Sequence, residues 1–136
     1  MEEELKKNIS MHSYKVEAGF PSPAENYVEK ELNLHEYLVK NPEATFLVRA
    51  TGESMIDVGI SPGDILVVDR SLDVLNNSIV IASINGDLTV KKFIKNKESE
   101  YPYLKSENSS QKLIKLEKGS DIEIWGIVIH SIHSLR

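Results

Sequence analysis

From Thr45 onward the chain is a succession of short runs rich in β-branched residues, set too close together for helices to cross between them. Thr45–Thr51 (TFLVRAT) is the first, and Ile65–Asp69 (ILVVD) follows the turn Ser61-Pro62-Gly63-Asp64. Ile79–Ile84 (IVIASI) leads into Asn85-Gly86, a strong hairpin signal, and then into Leu88–Lys95 (LTVKKFIK). Tyr101–Lys105, Leu113–Glu117 and Ile122–Ile132 complete the set. Parallel pairing needs long crossovers, so these strands are expected to form coiled or barrel-like antiparallel sheets.

The region before Thr45 reads differently. Residues 1–18 are polar and mixed in charge, and are expected to form a flexible N-terminal arm with too few apolar anchors to fold alone. Gly19-Phe20-Pro21-Ser22-Pro23 breaks any helix. The spacing of Tyr27, Glu31, Leu34 and Leu38 predicts two short helices, at about 24–31 and 34–40, with Asn33 capping the second. Asn41-Pro42 ends it.

Composition narrows the chemistry. A chain of 136 residues that is 40% hydrophobic forms one domain with a real core. The absence of cysteine removes disulfides, thiolate nucleophiles and cysteine zinc sites. A net charge of -5 offers no basic face for duplex DNA, so direct sequence-specific DNA binding is not expected. The chain shows neither a signal-peptide pattern nor an apolar stretch of the ~18 residues a membrane span needs. The expectation is a cytoplasmic protein without cofactor or metal.

One serine stands out. Ser54 sits on the turn Gly52-Glu53-Ser54-Met55, where the first strand ends. Most serines in turns only cap or meet solvent. Ile56 occupies the place of the second glycine in a Gly-x-Ser-x-Gly elbow, so that motif is not matched. Among the histidines, His12 lies in the arm and His35 in the helical region. His130 and His133 fall on the last strand, three apart and facing opposite sides, so none is an attractive base and the two make a poor metal pair.

A lysine is the alternative. Lys91 and Lys92 lie inside an apolar strand, and period-two alternation sends them to opposite faces. Lysines on strands usually snorkel to water. A desolvated lysine, by contrast, can lose its proton well below the usual value of about 10.4 and serve a serine as general base.

Five segments, in register, resemble the LexA-type family of self-cleaving serine peptidases, and its UmuD-type mutagenesis accessory proteins most of all. Val16-Glu17-Ala18-Gly19-Phe20-Pro21-Ser22-Pro23-Ala24 resembles the cleavage segment, and Tyr27-Val28-Glu29 with Asn33-Leu34 and Leu38 the connector after it. Gly52-Glu53-Ser54-Met55-Ile56-Asp57 with Gly59-Ile60 and Gly63-Asp64 resembles the nucleophile segment. Asn85-Gly86-Asp87-Leu88-Thr89-Val90-Lys91-Lys92 is similar to the strand bearing the base, and Trp125-Gly126-Ile127-Val128-Ile129-His130 to the closing strand. The Ser54-to-Lys91 separation is also the family's. The likeness spans about residues 16–136 and implies a mainly β fold of the LexA C-terminal and signal-peptidase kind. It implies Ser54 as nucleophile, Lys91 rather than Lys92 as base, and a cut between Ala18 and Gly19. That cut divides the chain into an arm, 1–18, and a peptidase and polymerase-accessory domain, 19–136.

A small residue at Ala18 suits a cramped site, and Gly19 lets the backbone approach closely. Ala18 stands where some UmuD-type proteins carry cysteine. Backbone N–H groups of Glu53 and Ser54 are the expected oxyanion donors. The implied partners are a RecA filament on single-stranded DNA, a second copy of the chain, and a UmuC-type Y-family polymerase in SOS translesion synthesis. The competing expectations are a non-catalytic binding module for polymerase or filament, a fragment of a LexA or phage-type repressor, and a peptidase acting in trans.

Overall fold

The structure is a computed structural model, and it describes residues 8–12, 18–19, 28–107 and 113–136. The chain divides into two compact units, Met1–Lys40 and Asn41–Arg136. Among the described residues no helix is long and apolar enough to cross a membrane.

In the first unit, β1 (Asn8–His12) pairs antiparallel with β2 (Val28–Asn33). The register sets Asn8 opposite Asn33 and Ile9 opposite Leu32, with a bulge between Met11 and His12. Two expectations are corrected here. The arm carries regular structure at Asn8–His12, and Val28–Glu31 is strand instead of the end of a helix over 24–31; residues 24–27 lie outside the described residues. The physical reason is that the segment Val28-Glu29-Lys30-Glu31-Leu32 fits a period of two as well as one of 3.6, and a distant partner strand decides between them. The second helix forms as α1 (Leu34–Leu38), shorter than the expected 34–40. Asn33 caps it, its side-chain oxygen accepting the Glu36 N–H at 3.1 Å.

The second unit is one antiparallel sheet. A 3₁₀ turn at Pro42–Ala44 leads into β3 (Thr45–Arg49). There follow β4 (Ile65–Asp69), β5 (Ile79–Ile84), β6 (Asp87–Ile94), β7 (Tyr103–Lys105), β8 (Leu113–Lys115) and β9 (Ile122–Ile132). Their order is β3-β4-β9-β5-β6-β7-β8. The β5–β6 hairpin turns at Asn85 and Gly86, whose φ values of 51° and 88° are the positive pair a two-residue hairpin turn of this kind requires.

The long last strand, β9, lies in the middle of the sheet between β4 and β5. Its register shifts at Val67/Val68 on one side and at Ile81/Ala82 on the other. Bulges of this kind raise the local twist and coil a sheet. Coiling lets both faces of β5 be buried. Ile81 packs with Ala50, Met55, Ile60, Leu66 and Val68 in one apolar cluster. Val80 and Ala82 pack with Leu104 and Ile127 in a second. That two-sided burial explains why Ile79–Ile84 reads as a nearly unbroken apolar run.

Candidate active site

The loop from Thr51 to Gly63, between β3 and β4, carries Ser54. Its neck is closed by backbone bonds from Ala50 N–H to the Asp64 carbonyl and from Gly63 N–H to the Ala50 carbonyl, both 2.8 Å. Arg49 adds a third tie, its Nη1 donating to the Gly63 carbonyl at 2.9 Å. Inside the loop Met55 and Ile60 are buried in the first apolar cluster, and the Ile60 N–H reaches the Met55 carbonyl at 3.2 Å. A 3₁₀ turn at Ile56–Val58 lies between them and ends on Gly59, whose φ of 88° favours glycine. A loop plugged by two apolar side chains and closed at its neck is held in shape despite its length.

Ser54 precedes the buried Met55 and is itself half-buried. It lines a cavity of about 260 Å³ together with Val48, Thr51, Ile60 and Ile81. Leu88, Thr89 and Val90 of β6 complete the wall. Lys91 follows them directly and is half-buried. The register sets Val90 opposite Ile81, Lys91 opposite Val80 and Lys92 opposite Ile79, so the two lysines do take opposite faces of β6. Lys92 is committed elsewhere: its Nζ lies 3.8 Å from the Glu107 carboxylate, which also faces Lys105 Nζ at 3.5 Å.

The remaining expected residues are placed as follows. Glu53 is an exposed turn residue beside Ser54, and its carbonyl accepts the Ile56 N–H at 3.3 Å. Ala18 and Gly19 belong to the first unit, are exposed, and Gly19 has a φ of 141°.

An Asp–His pair went unseen in the sequence. Asp64, 1% exposed, accepts the Ser61 N–H at 2.9 Å, the Ser131 hydroxyl at 3.0 Å and a hydrogen bond shared with the His133 ring. The Ser61 N–H above all holds its carboxyl below the usual carboxylate value; burial opposes this, and His133 and Ser131 assist. His133 lies just beyond the end of β9, so it is not a residue of that strand as expected from its spacing to His130. The pair pins the neck of the Ser54 loop to the C-terminal end of β9. A partner 69 residues away leaves no local signal at Asp64 or His133.

Residues 10–129 match the model of the family described as Peptidase S24-like. The chain is 41% identical over 134 residues to Protein MucA of Salmonella typhimurium, covering 92% of this chain and 84% of that protein. It is 43% identical over 120 residues to Protein ImpA of Shigella flexneri, covering 88% and 80%. It is 36% identical over 123 residues to the LexA repressor of Colwellia psychrerythraea, covering 90% of this chain and 57% of the repressor.

Proposed function

The chain belongs to the S24-like peptidase family and is a self-cleaving serine peptidase; from that premise we propose that Ser54 cuts the bond between Ala18 and Gly19 with Lys91 as its base. Neutral Lys91 takes the Ser54 hydroxyl proton as Oγ attacks the Ala18 carbonyl carbon. The tetrahedral oxyanion is met by backbone N–H groups of Glu53 and Ser54. Lys91 then passes the proton to the Gly19 nitrogen, and the C–N bond breaks to leave an acyl-serine. Water, losing a proton to Lys91, attacks that ester, and Lys91 returns the proton to Ser54 Oγ as the acyl C–O bond breaks. The products are residues 1–18 with a new carboxylate and 19–136 with a new amine. Because the substrate is attached, docking replaces a bimolecular encounter, and orientation supplies much of the rate.

The observation that supports this reading is the shared cavity: Ser54 lines it together with Leu88, Thr89 and Val90, the three residues before Lys91 on β6. Strand alternation sets Lys91 on the face opposite Val90, so the choice of Lys91 over Lys92 rests on the family resemblance and on the pairing of Lys92 with Glu107. Lys92, already facing Glu107, is the less suitable base. In the cell, the chain acts in the cytoplasm as an SOS mutagenesis protein of the UmuD type, as its similarity to MucA and ImpA supports. A RecA filament on single-stranded DNA stimulates the cut. The 19–136 product, as a homodimer, serves a UmuC-type Y-family polymerase in translesion synthesis.

The test is an intact-mass time course of the full chain, alone and with RecA filament. Wild type is expected to yield one product beginning at Gly19, and Ser54→Ala and Lys91→Ala none. Cutting at the wild-type rate in either variant would sink the dyad.

A further inference from the structure

We infer that Glu107 is a positioning residue for self-cleavage, fixing the turn behind Ser54 to the strand that carries Lys91. This rests on the dyad reading above and adds a third residue to it. Two separate arms of Glu107 carry the inference. Its backbone carbonyl accepts the Asp57 N–H at 2.8 Å, in the middle of the 3₁₀ turn that starts two residues after Ser54. The other bonds of that turn are local: Val58 N–H to Met55 at 3.2 Å and Gly59 N–H to Ile56 at 2.9 Å. The Glu107 bond leaves the loop and ties it to the segment after β7.

The second arm is the carboxylate. Its Oε1 is buried without a hydrogen bond, and faces Lys92 on β6 and Lys105 on β7 at 3.8 and 3.5 Å. Those lysines are register partners, so one carboxylate spans the two strands. A buried carboxylate oxygen without a hydrogen bond is costly, and here two ammonium groups offset the cost by charge alone. The Lys92–Glu107 pair holds residue 107 against β6, the strand whose opposite face carries Lys91. The side chain therefore locates residue 107 against β6, and its carbonyl locates the Ser54 turn against residue 107. The nucleophile and its base come from different segments, and a misplacement of about 1 Å between reacting groups can cost about a hundredfold in rate.

The test uses the full chain with Glu107→Gln, followed by mass spectrometry of self-cleavage, thermal unfolding, and amide hydrogen exchange resolved at Asp57. Cleavage is expected to slow about tenfold or more. Exchange at the Asp57 amide should quicken while the amides of β4 and β9 keep their protection. A Lys92→Met/Lys105→Met double variant should slow cleavage to the same degree, each single variant less, and adding Glu107→Gln to the double should slow it no further. Wild-type cleavage in Glu107→Gln overturns the inference. So does slowed cleavage accompanied by an equal rise in exchange across β4 and β9, which would mark a general loss of stability. If Ser54→Ala blocks the cut and Glu107→Gln leaves it unchanged, this inference alone falls; if Ser54→Ala still cuts, the dyad falls and this inference with it.

Discussion

Gly126 and Ser54 show how much a single position decides. Gly126 lies on β9 opposite Ile81 of β5, and a Cβ there would lie 2.7 Å from Val68 Cγ1 and 3.2 Å from the Asp69 carbonyl oxygen. The first contact is with a buried, branched side chain and the second with backbone, so neither yields easily. Gly126→Ala is expected to cost about 1–3 kcal/mol, the usual range for overpacking a tight core, measured as a fall in the urea midpoint. Ser54 differs in that, on the mechanism proposed above, its position governs reactivity. It is half-buried on the cavity lining, and as the proposed nucleophile it would need a base that is neutral at the moment of attack. Self-cleavage is therefore expected to accelerate as pH rises from neutrality toward about 10, through the range in which a lysine loses its proton. A mass time course at stepped pH checks this, and a flat profile would exclude a lysine as the titrating base.

The element that matters most is the Ser54 loop, because its shape comes from packing more than from strand hydrogen bonds. Met55 is its apolar plug, 3% exposed among Leu66, Val68 and Ile81. Met55→Ala is expected to cost about 2–5 kcal/mol of stability. It should slow self-cleavage further than a stability-matched Leu104→Ala, since Leu104 packs in the other cluster. Comparing the two variants at equal unfolding free energy checks this. Elements whose structure is local were legible in the sequence: β4, β5 and β9 have the expected bounds, and Asn85-Gly86 turns where its chemistry requires. The turn that carries Ser54 and the strand that carries Lys91 and Lys92 were legible for the same reason, each being a short contiguous segment. What was not legible depends on distant partners. β2 is a strand because Asn8–His12 lies beside it, β9 enters the centre of the sheet after every other strand, and Asp64 meets His133 only once β4 and β9 are paired. The cavity belongs to the same class, since Ser54 and Val90, far apart in the chain, come to share it only in the folded sheet.

At the scale of the whole molecule, two buried carboxylates govern how the sheet responds to acid. Asp64 joins the loop neck to the end of β9, and Asp69, 0% exposed, joins the end of β4 to its flanks. Asp69 accepts the Ser71 hydroxyl at 2.6 Å, the Ser71 N–H at 2.8 Å and the Asn41 side-chain amide at 2.8 Å. The Ser71 hydroxyl first, then Asn41, lower its pKa against the opposing effect of burial, while the Ser61 N–H leads for Asp64. Both groups are thus lowered in the folded state relative to an unfolded value of about 3.9. The unfolded chain then binds more protons than the folded one as pH falls, so stability contributed by these groups is complete above the unfolded value and declines as pH passes down through the folded values. Thermal stability is expected to change little from these two groups between pH 7 and about 5, and to drop steeply below about 4. Asp69→Asn keeps an acceptor for Ser71 but turns an amide toward the Asn41 amide, two donors face to face. That variant should be less stable than wild type at neutral pH and lose less on acidification, so that the two curves converge in acid. Unfolding temperatures of both proteins across the acid range measure the convergence; parallel curves would mean that Asp69 binds its proton equally well folded and unfolded.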